Sequence, residues 1–255
     1  MTGWQGQVAI ASPTLVRTPL EELLLRGALE SLARLELPLF VCDGGSGADF
    51  TSFVRRLPRT TLVPSSGAGL VEQVKASLRA AHASGAAFVL YTEPDKQTFF
   101  EQKLEAILTR APLGEGVGVV LAGRSSSSFG TYPGTQRYTE GTINHLCGAH
   151  LGAAGDYSYG PFLLHREMIP HADAAGPELG WGWRHFMFAI AHRLGRQIVH
   201  LEGDFPCPED QRHEDACERL HRLRQLGQNV NGLVAGLSVD VPQGSSLRTR
   251  GATRA

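Results

Sequence analysis

The run Ala86-Ala87-Phe88-Val89-Leu90-Tyr91-Thr92-Glu93-Pro94-Asp95-Lys96 decides how the rest of the chain is read. Ala86 to Tyr91 is apolar without polar alternation, which suits a strand buried on both faces. The run then stops at two carboxylates spaced i, i+2. On an extended segment that spacing points both side chains to one side. Pro94 bends it into a turn, so both acids can reach one place. A strand ending in Glu-x-Asp thus puts two oxygen ligands at the open edge of a sheet, where a hard divalent cation and a diphosphate can meet. The plain alternative is an acidic turn in which Asp95 caps the next helix.

On both sides of this run, strands and helices alternate. Gln7 to Ala11 reads as a short strand, broken at Ser12-Pro13-Thr14. Pro19 to Leu35 reads as a helix with Leu20, Leu24, Ala28, Leu32 and Leu35 on one face. Leu37 to Cys42 is a second strand and runs into the loop Asp43-Gly44-Gly45-Ser46-Gly47. Thr60 to Val63 is a third. Gly67-Ala68-Gly69 opens a helix with Val71, Val74, Leu78 and Ala81 on one stripe and Gly85 at its C-cap. After the central run, Gln97 to Arg110 reads as a helix with Phe100, Leu104, Ile107 and Leu108 inward, and Val117 to Ala122 as another buried strand. This alternation predicts an α/β fold with a mostly parallel central sheet and helices on both faces. Its ligand edge is the one where the strands end. Pro13, Asp43, Glu93, Asp95 and Arg124 all fall there.

The second half is less regular. Gly123 to Gly130 reads as a small, polar, mobile loop, suited to ordering over a substrate. Gln136 to Cys147, Gly182 to Leu194 and a long segment from about Glu209 (carrying Leu220, Leu223, Val230 and Leu233) read as helices. Phe162 to Leu164 and Gln197 to Leu201 read as strands. No repeat or linker divides the chain, so one domain is expected over 1–240. Within it, the regular first half spans 7–124 and the less regular second half 125–240. Residues 241–255 are expected to be a disordered tail.

Composition limits the function. With 255 residues, 42% hydrophobic, the chain can bury a large core. A net charge of −1 argues against nucleic-acid binding or a polybasic membrane anchor. No stretch approaches the roughly 20 apolar residues of a membrane span, and the N-terminus lacks the pattern of a secretory signal. The four cysteines are scattered and read as reduced thiols, so a cytoplasmic protein is expected. A homo-oligomer stays open. There is no GxxxxGK[ST] and no GxSxG, which excludes a P-loop and a nucleophile elbow.

The order of elements, Asp43-Gly44-Gly45-Ser46 after the second strand and Glu93-Pro94-Asp95 after the fourth together resemble the GT-A fold glycosyltransferases, especially the family 2-like group. The resemblance covers roughly residues 7 to 215. It implies transfer of a sugar from a nucleotide-diphosphate donor to an acceptor hydroxyl, with Mg²⁺ or Mn²⁺ as cofactor. Glu93-Pro94-Asp95 resembles the acid-x-acid metal motif of that group, with Glu in place of the usual first Asp. By the same resemblance, Pro13, Asp43, Gly67, Lys75 and Arg124 bind the donor. His213 resembles a late histidine that completes the metal shell.

Pro177-Glu178-Leu179-Gly180-Trp181-Gly182-Trp183-Arg184-His185 is similar to a Gly-Trp-Gly segment that precedes the catalytic acid in the group. Here Arg184-His185 stands where the acid is expected, leaving Glu178 or His185 as candidate catalytic groups. Trp181 and Trp183 offer faces for a sugar, or for core packing. Plainer readings also stand: Asp43 as a turn-stabilising residue, Lys75 as a solvated lysine and Arg124 as an exposed loop arginine. Cys207, His213, Cys217 and His221 include a helical stripe that could hold zinc, without the Cys-x-x-Cys pairing of structural sites. Two other functions stay open. One is a sugar-phosphate nucleotidyltransferase, although Ala11-Ser12-Pro13-Thr14 lacks the Gly-rich basic loop for a triphosphate. The other is a non-catalytic module that binds nucleotide sugars.

Overall fold

In the computed structural model, residues 3–65 and 67–240 are described. The expected tail lies outside them. The elements run β1 (Val8–Thr14), α1 (Pro19–Ala33), β2 (Leu39–Asp43), α2 (Ala48–Arg56), β3 (Thr60–Val63), α3 (Leu70–Ala83) and β4 (Phe88–Tyr91). They continue through α4 (Gln97–Gln102), α5 (Leu104–Arg110), β5 (Val117–Arg124), α6 (Ser126–Phe129), α7 (Gly134–Leu151), β6 (Phe162–His165), α8 (Trp183–Arg193), β7 (Gln197–Gly203) and α9 (Ala216–Ser238). Short 3-10 segments, Arg166–Ala174 and Pro177–Gly182, link β6 to α8.

Among the described residues, seven strands form one sheet in the order β3-β2-β1-β4-β6-β5-β7. Only β6 runs against its neighbours β4 and β5; the other pairings are parallel. The ends of β2, β1, β4, β5 and β7, and the start of β6, therefore gather on one edge. Helices cover both faces. One core holds Val71, Val74, Leu78, Ile143, Trp183 and Phe186, from α3, α7 and α8. The other holds Leu29, Leu32, Phe50, Phe100 and Ile107, from α1, α2, α4 and α5. This is the α/β architecture expected.

Four local readings are corrected. β1 does not break at Ser12-Pro13 but continues to Thr14. The amide of Ile10 donates to the β2 side, so in a regular parallel ladder position 13 faces the β4 side. There the pairing with β4 has already ended at Ala11, so the missing N–H of proline falls beyond the paired residues. In α1 only the second half reaches the core, and Leu20 and Leu24 are exposed. The Gly123–Gly130 segment is not a loop. β5 runs through Arg124, and α6 follows with Ser125 capping its first turn through Ser128 N. The last helix starts at Ala216, behind the capping box of Asp215 and Glu218, and Leu220 and Leu223 are exposed. Its buried side near the end is instead made of Asn229, Gly232, Leu233 and Gly236, which seat it against α8.

Candidate active site

The gathered edge brings the β2 and β1 ends together first. Thr14 Oγ1 donates to Asp43 Oδ1 at 2.9 Å. Asp43 Oδ2 accepts from the amides of Gly45 and Ser46 at 2.9 and 2.6 Å, and Ser46 Oγ donates to Oδ1 at 2.6 Å. Asp43 thus does the turn-stabilising work of an Asx residue, and it is held rigidly while doing so. Gln73 of α3 lies over Gly44, where a side chain would collide with its amide group. The start of α3 is thereby fixed beside the Asp43 loop. Gly69, at φ 91°, precedes the helix and itself supplies no side-chain cap. Lys75 is not the solvated lysine of the plainer reading: it is buried, with Nζ 3.1 Å from Glu72 Oε1. Gly67 is exposed, close to the Glu72 side chain.

The end of β4 lies next along the edge. Tyr91 OH donates to Glu93 Oε1 at 2.7 Å, and Arg184 Nη1 stands 4.0 Å from the same oxygen. Asp95, with 60% of its side chain exposed, is gripped by Lys96 Nζ at 2.8 Å from Oδ1 and 3.0 Å from Oδ2. A Cβ built on Gly160, just before β6, would sit 3.3 Å from Glu93 Oε2 and 3.4 Å from Lys96 Nζ. The free oxygen of Glu93 and the ammonium bound to Asp95 therefore border the same small volume. Gly160 is at φ 124°, a backbone conformation suited to glycine, and its missing side chain keeps that volume open. Glu93 and Asp95 both also act on the buried Tyr91 phenol. Burial, then the neighbouring Glu93, push its pKa well above the usual value. Asp95 does not cap α4: the capping position is Lys96, without a side-chain hydrogen bond.

The chemistry of this pair suits a cation of the Mg²⁺ or Mn²⁺ type. Such ions take one or two protein carboxylates and fill their shell with water and substrate phosphate. Among the described residues no three His, Cys, Asp or Glu side chains cluster as a metal shell. His213 is accordingly not brought to Glu93 and Asp95. It stays exposed in a segment fastened to α6 and α7 by Asp204–Ser128 and Glu214–Thr135 contacts. The same finding leaves the zinc stripe unsupported, with Cys207 buried and Cys217 exposed.

Arg124 stands at the end of β5 as expected, but it is no exposed loop residue. Its Nε donates to Asp156 Oδ2 at 2.6 Å, and its Nη2 to Asp156 Oδ1 at 3.0 Å and to Glu140 Oε2 at 2.7 Å. Its guanidinium lies 4.5 Å from the Tyr132 ring centre and 4.7 Å from that of Phe129. Burial would lower its pKa, but the two carboxylates overcome that and raise it. Burial would likewise raise Asp156, and Arg124 reverses the direction and lowers it. Nε and Nη2 of Arg124 are thus committed to protein carboxylates.

The Pro177–His185 segment divides. Trp183 is 1% exposed and packs edge-on to Tyr91 with ring centres 4.6 Å apart, so it belongs to the core and offers no face to a sugar. His185 is 0% exposed, and burial drives its pKa well below the usual value. A catalytic role for His185 is corrected accordingly, because no substrate reaches it. Trp181 is only partly buried and lies under the Arg184 guanidinium at 5.5 Å. Glu178 is exposed, with its carboxylate folded back over Gly176. Asp156, Glu140, Lys96 and Arg184 are the groups of this edge that motif reading passes over.

No family model and no curated protein matches the chain. Solved structures do. Glucosyl-3-phosphoglycerate synthase from Mycobacterium tuberculosis, in complex with Mn²⁺, uridine diphosphate and glucosyl-3-phosphoglycerate, is similar at TM-score 0.59 and 17% identity, over 92% of this chain and 81% of that one. The same enzyme with Mn²⁺, UDP-glucose and phosphoglyceric acid gives TM-score 0.58 and 18% identity, over 92% and 81%. With Mg²⁺ and uridine diphosphate it gives TM-score 0.59 and 19%, over 92% and 80%. The likeness at this identity is one of fold: the chain has the GT-A fold.

Proposed function

We propose that this chain is a metal-dependent glycosyltransferase that moves a sugar from a nucleotide-diphosphate donor to an acceptor hydroxyl. The observation that carries the reading is the approach of Glu93 Oε2 and of Lys96 Nζ, which holds Asp95, to one volume above Gly160, at the edge where α/β sheets bind ligands. Support comes from structures of the same fold that hold uridine diphosphate with Mn²⁺ or Mg²⁺. Glu93 and Asp95 would hold the cation, which offsets the charge that builds on the departing diphosphate.

The remaining roles fall to the chain's own groups. The fixed Asp43 loop and Pro13, beside it on β1, border the nucleoside. The start of α3, with Gly67 before it and Lys75 within, faces the phosphates. Lys96 and Arg184 add positive charge beside the leaving group. Trp181 presents the aromatic face for a sugar. Glu178 is the remaining candidate of the Pro177–His185 segment and is the proposed catalytic group, acting once it swings away from Gly176. The acceptor follows no feature named above; in the neighbours cited it is phosphoglyceric acid. Among the described residues no helix is long and apolar enough to cross a membrane.

A second reading, a binding module that kept the fold and lost its base, is favoured by Arg184 and the buried His185 in the place of an acid. Thermal unfolding with UDP- and GDP-sugars, with and without Mn²⁺, tests the first reading. A bound donor at a hundredfold excess over its Kd stabilises by about 2.7 kcal/mol. The midpoint should rise only when metal and one sugar nucleotide are both present, and the rise should vanish in Asp95→Ala. Absence of a shift with every sugar nucleotide overturns both readings; a shift without product on addition of acceptors favours the module.

A further inference from the structure

Each acid at the end of β4 already has a cation of the chain's own. Lys96 Nζ bonds both oxygens of Asp95, at 2.8 and 3.0 Å. It also lies 3.4 Å from the point above Gly160 that is 3.3 Å from Glu93 Oε2. Arg184 stands 4.0 Å from Glu93 Oε1, and Tyr91 OH occupies that same oxygen at 2.7 Å. The two cations differ in freedom. Arg184 is 5% exposed, walled in by Trp181, with no hydrogen-bond partner for Nε. Lys96 keeps 21% of its side chain in solvent and carries its charge on a flexible four-carbon stem.

From this geometry we infer that Lys96 is a built-in competitor for the divalent cation, displaced only when a diphosphate arrives with it. This rests on the proposed donor site for the diphosphate; the competition itself does not. An ion shared by Glu93 and Asp95 would meet the ammonium within a few ångströms, where like charges repel strongly. The ammonium must leave, and leaving strips it of its carboxylate. Diphosphate oxygens supply the new partner. The ion and the nucleoside diphosphate then each improve the other's binding, by one common factor. Arg184 stays in place and holds the Glu93 side chain toward the site, as a positioning residue.

The test needs no turnover. Mn²⁺ binding is read from the electron paramagnetic resonance signal of free Mn²⁺, and uridine diphosphate binding by calorimetry, each with and without the other ligand. In the unaltered protein Mn²⁺ alone should bind weakly, and uridine diphosphate should tighten it by about tenfold or more. Lys96→Met should bind Mn²⁺ alone about threefold more tightly or better and lose most of the mutual tightening. Lys96→Arg, which keeps the charge, should behave as the unaltered protein does. Asp95→Asn should lose Mn²⁺ in every arm. Unchanged or weaker Mn²⁺ affinity in Lys96→Met, or no Mn²⁺ binding in either protein, overturns the inference. If uridine diphosphate binds nowhere, the donor reading fails, while the Mn²⁺-alone arm still decides whether Lys96 competes.

Discussion

Arg124→Ala should cost about 3–5 kcal/mol of stability, the usual result of removing one partner from a buried charge cluster. Arg124 and its partners are almost fully enclosed: side-chain exposures are 1% for Arg124, 9% for Glu140 and 7% for Asp156. Without the guanidinium, two carboxylates stay buried near each other, and Asn144 remains to donate to Asp156 at 3.1 Å. Urea unfolding should show a lower midpoint at an unchanged slope.

The pH dependence gives the sign a second check. In the unaltered protein the pKa of Asp156 is lowered on folding from its usual 3.8. Its stabilisation is therefore present above that pH and is lost as pH falls through the depressed folded pKa. In Arg124→Ala burial is left to push Asp156 the other way, above its unfolded value, so acid relieves the defect. The gap between the two proteins should be widest at neutral pH and shrink toward pH 4. A gap that stays constant would mean that the carboxylates are not charged and buried together.

Gly232→Ala should have a comparable effect through packing alone. A Cβ on Gly232 would run into the backbone carbonyl of Gly182, and one on Gly182 into the carbonyl of Gln228. These are main-chain atoms, so no rotamer can yield, and α9 must move off α8. One turn on, a Cβ on Gly236 would meet Phe186 O at 2.5 Å and Ala189 Cβ at 2.7 Å. Overpacking of this kind costs about 1–3 kcal/mol and more where the backbone must shift; the upper end is expected here. Gly227→Ala in the same helix is the control. No atom stands within 4 Å of its would-be Cβ, so it should stabilise by about 0.5–1 kcal/mol. Equal gains at both positions would show that helix propensity, not close approach, governs α9.

What could be read from the chain beforehand follows a physical division. Local periodicity placed β3 at Thr60–Val63 and the buried stripe of α3, because both depend on neighbours in sequence. The alternation of elements located the ligand edge, and with it Glu93, Asp95 and Asp43. Partners distant in sequence escaped. Arg124 looks the same beside a phosphate as beside Glu140 and Asp156, which lie 16 and 32 residues away. One signal was present. Glu140, Ile143, Cys147 and Leu151 form a helical stripe that is buried throughout, and an acid in such a stripe calls for a buried cation. The exposed Leu220 and Leu223 show the converse, since in α9 glycines permit the contact that leucines seemed to promise. Trp183 was ambiguous because a tryptophan beside glycines serves a sugar or a core equally well. Only its place over Tyr91 decided it.

The most direct test of the whole account is an anomalous difference map, recorded at the manganese edge, from crystals soaked with Mn²⁺ and uridine diphosphate. The account predicts one strong peak in bonding contact with both Glu93 and Asp95 above Gly160, with Lys96 turned from Asp95 toward the diphosphate. A peak elsewhere, or the Lys96–Asp95 and Arg184–Glu93 contacts intact with nucleotide bound at another place, would contradict it.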